Sequence, residues 1–235
     1  MKSLGTWDWH GRRYESEKNS NGKDYLMATI LYVTANVKAE AASRSLLLGS
    51  EFLEEYLRLN PRDEVQVLDV YRDSIQRVDQ DVLNAWTRVE RGEDHALLSD
   101  EERHKINRIW RMADQFLRCD KYVFVTHSLN LWLPAEFKMY VDATCVLDRT
   151  YRLTPNGSEG MLRGLPRKSL HLHAATAYSL AGERDQSVAY LRSVLNVLGV
   201  AHQETVLLKG DDPETGSWEE YETVRSKLLG LARTF

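Results

Sequence analysis

The chain of 235 residues is poor in cysteine and has no long apolar run, and each shortage excludes a class of protein. Its two cysteines, Cys119 and Cys145, have no spacing typical of a zinc site or a disulfide framework. No segment approaches the roughly 20 consecutive apolar residues of a membrane span. Residues 1–27 also lack the apolar core of a signal peptide. We therefore expect a protein of the reducing cytoplasm.

Excess positive charge and glycine-rich phosphate loops are missing as well. The formal net charge of −4 argues against a protein that grips nucleic acid or an anionic membrane surface. The 13 glycines form neither a P-loop nor a dinucleotide fingerprint. Any phosphate held by a helix start is therefore expected to belong to a mononucleotide, and we expect neither a nucleic acid nor a membrane as partner.

What is present is the composition of a globular domain, with 43% hydrophobic and 28% charged residues. Residues 27–235 are predicted to form one domain. Residues 1–26 are polar and aperiodic, which predicts a disordered or loosely packed extension. A further hypothesis places the start of translation at Met27, because Gly22-Lys23-Asp24 can be encoded by a purine-rich ribosome-binding signal.

The segment from Lys121 to Asp142 has the pattern of a strand, a loop and a helix. Tyr122–Thr126 is a short run of β-forming residues, typical of a strand buried on both faces of a parallel sheet. Asn130 lies in the turn that follows. Pro134 is expected to open the helix, at a position where its missing amide hydrogen costs nothing. This order places the loop at the carboxyl end of a central strand, where open α/β sheets bind ligands.

The remaining pattern alternates strands and helices. Runs of β-forming residues predict four more strands, over 29–34, 65–70, 168–174 and 204–208. Helical periodicity predicts four more helices, over 43–59, from a capping box at Ser99 to Leu117, over 186–198 with Gly199 as its carboxyl cap, and over 218–232. Tyr71–Leu98 is expected to be an irregular polar connection, and a surface hairpin is expected to turn at Asn156-Gly157. The alternation predicts a doubly wound parallel sheet of five strands in the flavodoxin-like order 2-1-3-4-5.

Ser43-Arg44-Ser45 follows the first strand's loop and opens a helix. Free amides, the helix dipole and two hydroxyls at such a place suit a phosphate monoester. On these residues alone, however, an ordinary N-cap at Ser43 is the better explanation.

Three histidines lie at or near the same sheet edge, and two explanations remain open for them. His127 ends the third strand and His171 and His173 lie on the fourth, so one explanation is that His127 and His173 face each other as a metal site or an acid–base pair. Solvated or core imidazoles explain them better, because no carboxylate or cysteine stands beside them in sequence. Cys145 is interpreted as a packing residue and the run from Asp211 to Glu214 as a solvated turn. No metal is predicted.

Several segments, taken in order, resemble the FMN-dependent NADH azoreductases, a branch of the NAD(P)H quinone reductases with a flavodoxin-like fold. The resemblance covers Ala28 to the carboxyl terminus. Its motifs are Leu31–Ala35 followed by Ser43-Arg44-Ser45, Leu68–Tyr71, Lys121–Thr126 with Asn130 and Pro134, Lys138–Tyr140 with Asp142, Asn156-Gly157, and Leu198–Val200.

The resemblance implies an oxidoreductase that passes hydride from NADH or NADPH to FMN and then to an azo, quinone or related acceptor. It also implies a homodimer. The residues expected to bind FMN are Thr34, Ser43, Arg44 through its amide, and Ser45 at the phosphate, and Ser128, Leu129, Asn130 and Leu131 at the ring.

Two loops depart from the pattern of these azoreductases. Where they have proline and aromatic residues around the asparagine, this chain has His127-Ser128-Leu129-Asn130-Leu131, and only Asn130 matches. Where they have Arg-Gly-Gly, this chain has Ala175-Thr176-Ala177. Glycines let a backbone approach a flat ring closely, and a β-branched Thr176 does not. The alternative function is therefore a binding or regulatory protein, or an enzyme that uses His127, His173 and Tyr178 on another ligand.

Overall fold

The computed structural model describes residues 27–175 and 185–235, together with the backbone of a two-residue antiparallel pairing between Glu17–Lys18 and Asp24–Tyr25. Predictions made for the remaining residues before Met27 lie outside the described part of the chain. The same holds for the predictions that concern residues 176–178. The boundary at Met27 therefore stays a prediction.

Within residues 27–175 and 185–235, seven strands form two sheets. They are β1 (Thr29–Ala35), β2 (Glu64–Asp69), β3 (Lys121–His127), β4 (Tyr151–Thr154), β5 (Gly157–Gly160), β6 (Lys168–Ala175) and β7 (His202–Lys209). Five of them form one parallel sheet in the order β2-β1-β3-β6-β7. Because β4 and β5 form a separate two-stranded sheet, β6 and β7 are the fourth and fifth strands of the main sheet, and the predicted order is confirmed.

The strands are connected largely by helices. These are α1 (Arg44–Leu59), α2 (Gln80–Glu90), α3 (Asp100–Arg118), α4 (Ala135–Thr144), α5 (Ser187–Leu198) and α6 (Trp218–Ala232), with 3₁₀ turns at Glu40–Ala42 and His95–Leu97. Among the described residues, no helix combines the length and the apolar character needed to cross a bilayer.

The main sheet has a separate apolar core on each face, because successive strand residues point to opposite sides. On β1, Ile30 and Tyr32 face α1 and α6. Leu31 and Val33 point the other way, into the core that α3, α4 and α5 cover. Burial on both faces explains why these strands appear in the sequence as continuous apolar runs rather than as alternating ones.

The connection between Tyr71 and Leu98 is not irregular, as the sequence had suggested, because it contains α2. Asp79 caps this helix by accepting a hydrogen bond from the Val82 amide at 3.1 Å. Val82, Ala85, Trp86 and Val89 then recur at helical spacing and pack against α3. The prediction of an irregular connection was wrong because charged residues on the other faces of α2 made its apolar periodicity hard to recognise in the sequence.

Two other boundaries differ from expectation by one residue. Pro134 is the N-cap of α4 rather than its first helical residue. The hairpin turns at Pro155-Asn156, since Thr154 pairs with Gly157. The capping box at Ser99 and the left-handed carboxyl cap at Gly199, with φ of 97°, are confirmed.

Candidate functional site

The amino end of α1 lies at the carboxyl edge of the sheet, directly after β1 and its loop. Ser43 is the N-cap, and its hydroxyl accepts a hydrogen bond from the Leu46 amide at 3.2 Å. Thr34, Ser43 and Ser45 are all buried. The predicted phosphate-binding segment therefore has the geometry of a helix N-terminus with two hydroxyls beside it, which favours an anion.

An anion from the chain itself occupies this position. The carboxylate of Asp211 accepts hydrogen bonds from the Ser45 amide at 2.9 Å, the Ser43 hydroxyl at 2.9 Å and the side-chain amide of Asn36 at 2.8 Å. The Lys38 ammonium lies 3.9 Å from the same carboxylate. The Arg44 amide donates to the backbone carbonyl of Asp211 at 3.0 Å.

The interpretation of the acidic run as a solvated turn is therefore wrong for Asp211, whose side chain is only 13% exposed. It holds for Asp212, Pro213 and Glu214, which are exposed. Sequence reasoning missed Asp211 and Asn36 as site residues. Asn36 could have been predicted, because it directly follows β1 at the carboxyl edge of the sheet. Asp211 could not, because it comes from the loop after β7, an edge strand three places from β1.

The side chain of Arg44 points away from the anion position. Its guanidinium donates to the carbonyls of Lys209 at 3.2 Å, Gly210 at 3.3 Å and Ser217 at 2.5 Å. It also lies 5.4 Å from the centre of the Tyr221 ring. The Arg44 side chain thus fastens both ends of the loop that carries Asp211, and its amide donates to the Asp211 carbonyl.

The donors around Asp211 fit the phosphate of FMN. A carboxylate and a phosphate are both oxyanions, so Asp211 acts as a stand-in that identifies which groups of this chain donate to such a ligand. A backbone amide, a hydroxyl and an amide side chain converge on it, a donor set of the kind that binds phosphate at helix N-termini. Phosphate binding there requires the carboxylate to leave.

The predicted ring-binding residues form a tight turn between β3 and α4. Leu129 and Trp132 exchange backbone hydrogen bonds of 2.8 and 3.1 Å across the turn. The two residues between them, Asn130 and Leu131, have φ values of 52° and 68°. Asparagine tolerates this left-handed conformation, whereas leucine adopts it rarely. Ser128 begins the turn and donates its amide to the Ala174 carbonyl at 2.7 Å.

The turn presents apolar side chains at the sheet edge. Leu129 is 47% exposed, Leu131 45% and Trp132 39%. The Trp132 ring lies 5.4 Å from that of Tyr190 on α5. Because Leu129 is half exposed, it does not fill an enclosed ring cavity. An apolar platform of this kind, beside an oxyanion position, suits a flat ring with a phosphate tail.

A buried hydrogen-bonded chain runs beneath the turn. The Thr126 hydroxyl lies 2.8 Å from Nε2 of His171 and 2.7 Å from Nδ1 of His173. Nε2 of His173 lies 3.1 Å from the carboxylate of Asp185. That carboxylate also accepts from the Ser187 amide at 2.8 Å and from the Ser128 side chain. The chain therefore connects β6, β3, the turn and the start of α5.

The electrostatics of this chain fix the hydrogen between His173 and Asp185. Burial raises the pKa of Asp185, but hydrogen bonds from His173, Ser128 and Ser187 outweigh it and leave that pKa below the ordinary carboxyl value. The ionised carboxylate only accepts, so Nε2 of His173 carries a hydrogen. Burial, followed by repulsion from His173, lowers the pKa of His171 well below the ordinary histidine value.

His127 and His173 do not face each other, so the explanation that paired them is wrong, and the favoured one, that they are not a pair, agrees with the structure. His127 lies opposite Ala174 in the sheet, whereas His173 lies opposite Thr126. Adjacent strand residues point to opposite faces, and His127 instead donates from Nδ1 to the Ala35 carbonyl at 3.0 Å. A carboxylate that is distant from these histidines in sequence, that of Asp185, contacts His173 in the structure.

Within 27–175 and 185–235, no group of three or more His, Cys, Asp or Glu side chains is placed to hold a metal ion. Cys145 ends α4 as its carboxyl cap, and burial raises the pKa of its thiol to about 11. A thiol with so high a pKa is a poor nucleophile, in agreement with its interpretation as a packing residue.

Comparison with known proteins identifies the same fold and the same kind of enzyme as the resemblance. A family profile described as the flavodoxin-like fold matches residues 28–228. A protein of Geotalea uraniireducens named FMN-dependent NADH:quinone oxidoreductase is 45% identical over 210 residues, which cover 89% of this chain and all of the relative. A protein of the same name from Trichlorobacter lovleyi is 46% identical over 195 residues, 83% of this chain and 93% of the relative.

A solved structure agrees with these relatives. An FMN-dependent NADH-azoreductase from Bacillus anthracis, in complex with FMN, superposes with a TM-score of 0.78 at 25% identity. The match covers 88% of this chain and 99% of the other.

Proposed function

Because this chain belongs to the flavodoxin-like family that contains the FMN-dependent NADH:quinone oxidoreductases, we propose that it is an FMN-dependent NAD(P)H oxidoreductase acting on quinones, azo compounds or related acceptors. The observation that carries the proposal is the oxyanion position at the start of α1, where the Ser45 amide, the Ser43 hydroxyl and Asn36 converge on one carboxylate. It lies at the sheet edge where doubly wound folds bind nucleotides.

In this proposal each side of the ligand has its own residues. Ser43, Ser45 and the Arg44 amide hold the phosphate, with Asn36 as an added donor and Thr34 buried beside them at the end of β1. The helix dipole of α1 supports the negative charge.

The turn of residues 128–131 lies against the ring. Ser128, Leu129 and Leu131 contribute backbone and apolar contacts, and Asn130 orients the ring edge. Because backbone contacts need no particular side chain, the changed residues of this turn are compatible with ring binding. The turn is held from below by the hydrogen bond between Ser128 and Asp185.

When bound, FMN supplies the hydride chemistry, taking two electrons from a nicotinamide and passing them to the acceptor. The chain binds and orients the participants. The buried chain of His171, Thr126 and His173 gives the turn a fixed hydrogen-bonded support, which pre-organises the ring position.

We further propose a cytoplasmic homodimer. The half-exposed Leu129, Leu131 and Trp132 suit an edge that a second copy covers. Cys119 and Cys145 are thiols rather than a disulfide, which suits a reducing compartment. Sedimentation of the purified protein tests the assembly, with a monomer at micromolar concentration as the contradicting result.

Flavin uptake tests the proposed activity. The purified protein is expected to be yellow, or to become so after adding FMN and removing the excess, and to reduce a quinone with NADH or NADPH. A colourless protein that takes up no FMN would contradict the proposal.

One observation favours the alternative of a binding or regulatory protein without flavin. The carboxylate of Asp211 already occupies the phosphate position, so the site is complete without a ligand. The flavin titration separates the two functions, since only the oxidoreductase binds FMN.

A further inference from the structure

Asp211 stands where a ligand's phosphate is proposed to bind, which has a consequence for ligand choice. Its two carboxylate oxygens take up three donors, the Ser45 amide, the Ser43 hydroxyl and the Asn36 amide group, at 2.8 to 2.9 Å. The same hydroxyl also accepts from Asn36 at 2.9 Å. Since Ser43 gives its hydrogen to Asp211, the 3.1 Å contact between the two serine hydroxyls is a donation from Ser45. The Ser45 amide, the Ser43 hydroxyl and the Asn36 amide group therefore donate directly to the carboxylate, and the Ser45 hydroxyl donates to it through that of Ser43.

We propose that Asp211 is a specificity-determining residue, a resident carboxylate that competes with the phosphate of FMN and so sets how strongly the site prefers FMN to a flavin without phosphate. The inference rests on the proposed function and deepens it. It concerns the ligand's tail alone, because the turn of residues 128–131 belongs to a different loop.

The competition follows from charge and from the number of donors. The donors that satisfy one carboxylate cannot also satisfy a phosphate, and two anions at one helix start repel each other. FMN must therefore displace Asp211 before its phosphate gains the Ser45 amide. The free energy of breaking these hydrogen bonds is subtracted from the affinity for FMN.

The carboxylate is held in place by the loop that carries it, so its position does not depend on the side chain alone. The Arg44 guanidinium binds the carbonyls of Lys209 and Gly210 before Asp211 and that of Ser217 after it. Gly216 lets the loop pass over this guanidinium, since a Cβ there would overlap it. The loop therefore presents Asp211 to α1 as a fixed competitor.

Riboflavin provides the discriminating ligand. It has the ring of FMN but no phosphate, so it has no need to displace Asp211. A substitution that removes the carboxylate is expected to strengthen the binding of FMN and to leave that of riboflavin unchanged. A general effect on folding or on the ring position would alter both.

The experiment compares wild-type protein with Asp211→Asn and with Asp212→Asn, the matched control that removes the neighbouring exposed carboxylate. Dissociation constants of FMN and riboflavin are measured by quenching of flavin fluorescence. We expect Asp211→Asn to lower the Kd of FMN by about tenfold, the equivalent of one charge-assisted hydrogen bond, and to change that of riboflavin by less than about twofold. Asp212→Asn is expected to change neither.

A second measurement uses inorganic phosphate and needs no flavin. Phosphate is expected to raise the thermal midpoint of Asp211→Asn more than that of wild type. Asp211→Ala is measured in parallel, since an asparagine oxygen still accepts from the Ser45 amide. It is expected to show the same preference for FMN over riboflavin.

Equal changes in the Kd of FMN and riboflavin, or weaker FMN binding in both variants, would overturn the inference. If no variant binds either flavin but phosphate still stabilises Asp211→Asn selectively, the competition is correct and the flavin function is wrong. If flavin binds wild type and variants alike, the function stands and the competition is wrong.

Discussion

The two loops at the carboxyl edge of the sheet are built in opposite ways. The loop from β1 to α1 begins and ends with buried polar residues, Asn36 and Ser43, and both already donate to the carboxylate of Asp211. The turn from β3 to α4 is apolar and half exposed, with Leu131 held in a left-handed conformation. One end of the proposed ligand site is thus occupied by the chain itself, and the other is open. In the proposed site, a residue from another loop thus competes for the polar end, whereas no residue of the turn competes for the apolar end.

The largest expected effect is on the free energy of unfolding, and it comes from removing the side chain that holds the Asp211 loop. Arg44→Ala removes the donor to three carbonyls of the Asp211 loop, and we expect it to lower the free energy of unfolding by about 3 kcal/mol. Arg225→Ala is the matched control, since its guanidinium pairs with Glu51 and is 41% exposed. An exposed pair of this kind is worth about 1 kcal/mol or less. Urea unfolding of both variants checks the difference, and equal losses would show that Arg44 does not hold the loop.

The second effect concerns the support beneath the apolar turn and depends on pH. The lowered pKa of buried His171 means that the unfolded chain binds a proton there before the folded chain does. Stability from this group is therefore complete above the ordinary histidine pKa and is lost as pH falls below it. At pH 5.5 the loss is expected to be about 1.4 kcal/mol for one group with an ordinary pKa of about 6.5.

Urea unfolding at pH 7.5 and 5.5 tests this expectation. His171→Gln should lack that loss, whatever its stability at neutral pH. His202→Gln, which removes an exposed histidine from β7, should retain it. An identical pH dependence in wild type and His171→Gln would rule out His171 as the acid-sensitive group.

A smaller effect, on FMN binding, separates the role of Asn130 from that of the neighbouring His127. Asn130→Ala is expected to weaken FMN binding by about fivefold, because it removes an amide at the ring edge and places alanine in a left-handed conformation. His127→Ala should weaken it less, since His127 is bonded to the Ala35 carbonyl. A fluorescence titration giving the reverse order would contradict the assigned roles.

The smallest effect is a change in the free energy of unfolding caused by the backbone conformation of the turn of residues 128–131. Leu131→Gly is expected to raise the free energy of unfolding by about 0.5 kcal/mol, as relief of the left-handed conformation outweighs the entropy of glycine. Leu129→Gly is the matched control, because Leu129 is similarly exposed at 47% but has no positive φ. Thermal unfolding should show the control to be the less stable variant, and the opposite order would mean that Leu131 is not strained.

Local sequence patterns were sufficient to predict the sheet and most helices. The apolar runs of β1 and β3 indicated strands buried on both sides, and the capping box at Ser99 marked the start of α3. α2 was missed because only one narrow stripe of it is buried, around Val82 and Ala85. Periodicity identifies an element best when its buried face is wide.

The contacts that define the site could not be predicted in the same way. Asp211 reaches Ser45 across 166 residues of sequence, and nothing near Asp211 marks it as buried. The bond between His173 and Asp185 likewise depends on where α5 begins relative to β6. The left-handed Leu131 breaks the local preference of its residue type, so only the folded turn discloses it. Such contacts follow from tertiary structure rather than from propensity.

The most direct test of this account is a crystal structure of the protein with FMN. We expect the phosphate on the Ser45 amide and the Ser43 hydroxyl, the ring against the turn of residues 128–131, and the Asp211 carboxylate displaced from α1. A structure grown in saturating FMN in which Asp211 still holds the Ser45 amide, with no flavin at this edge of the sheet, would contradict it.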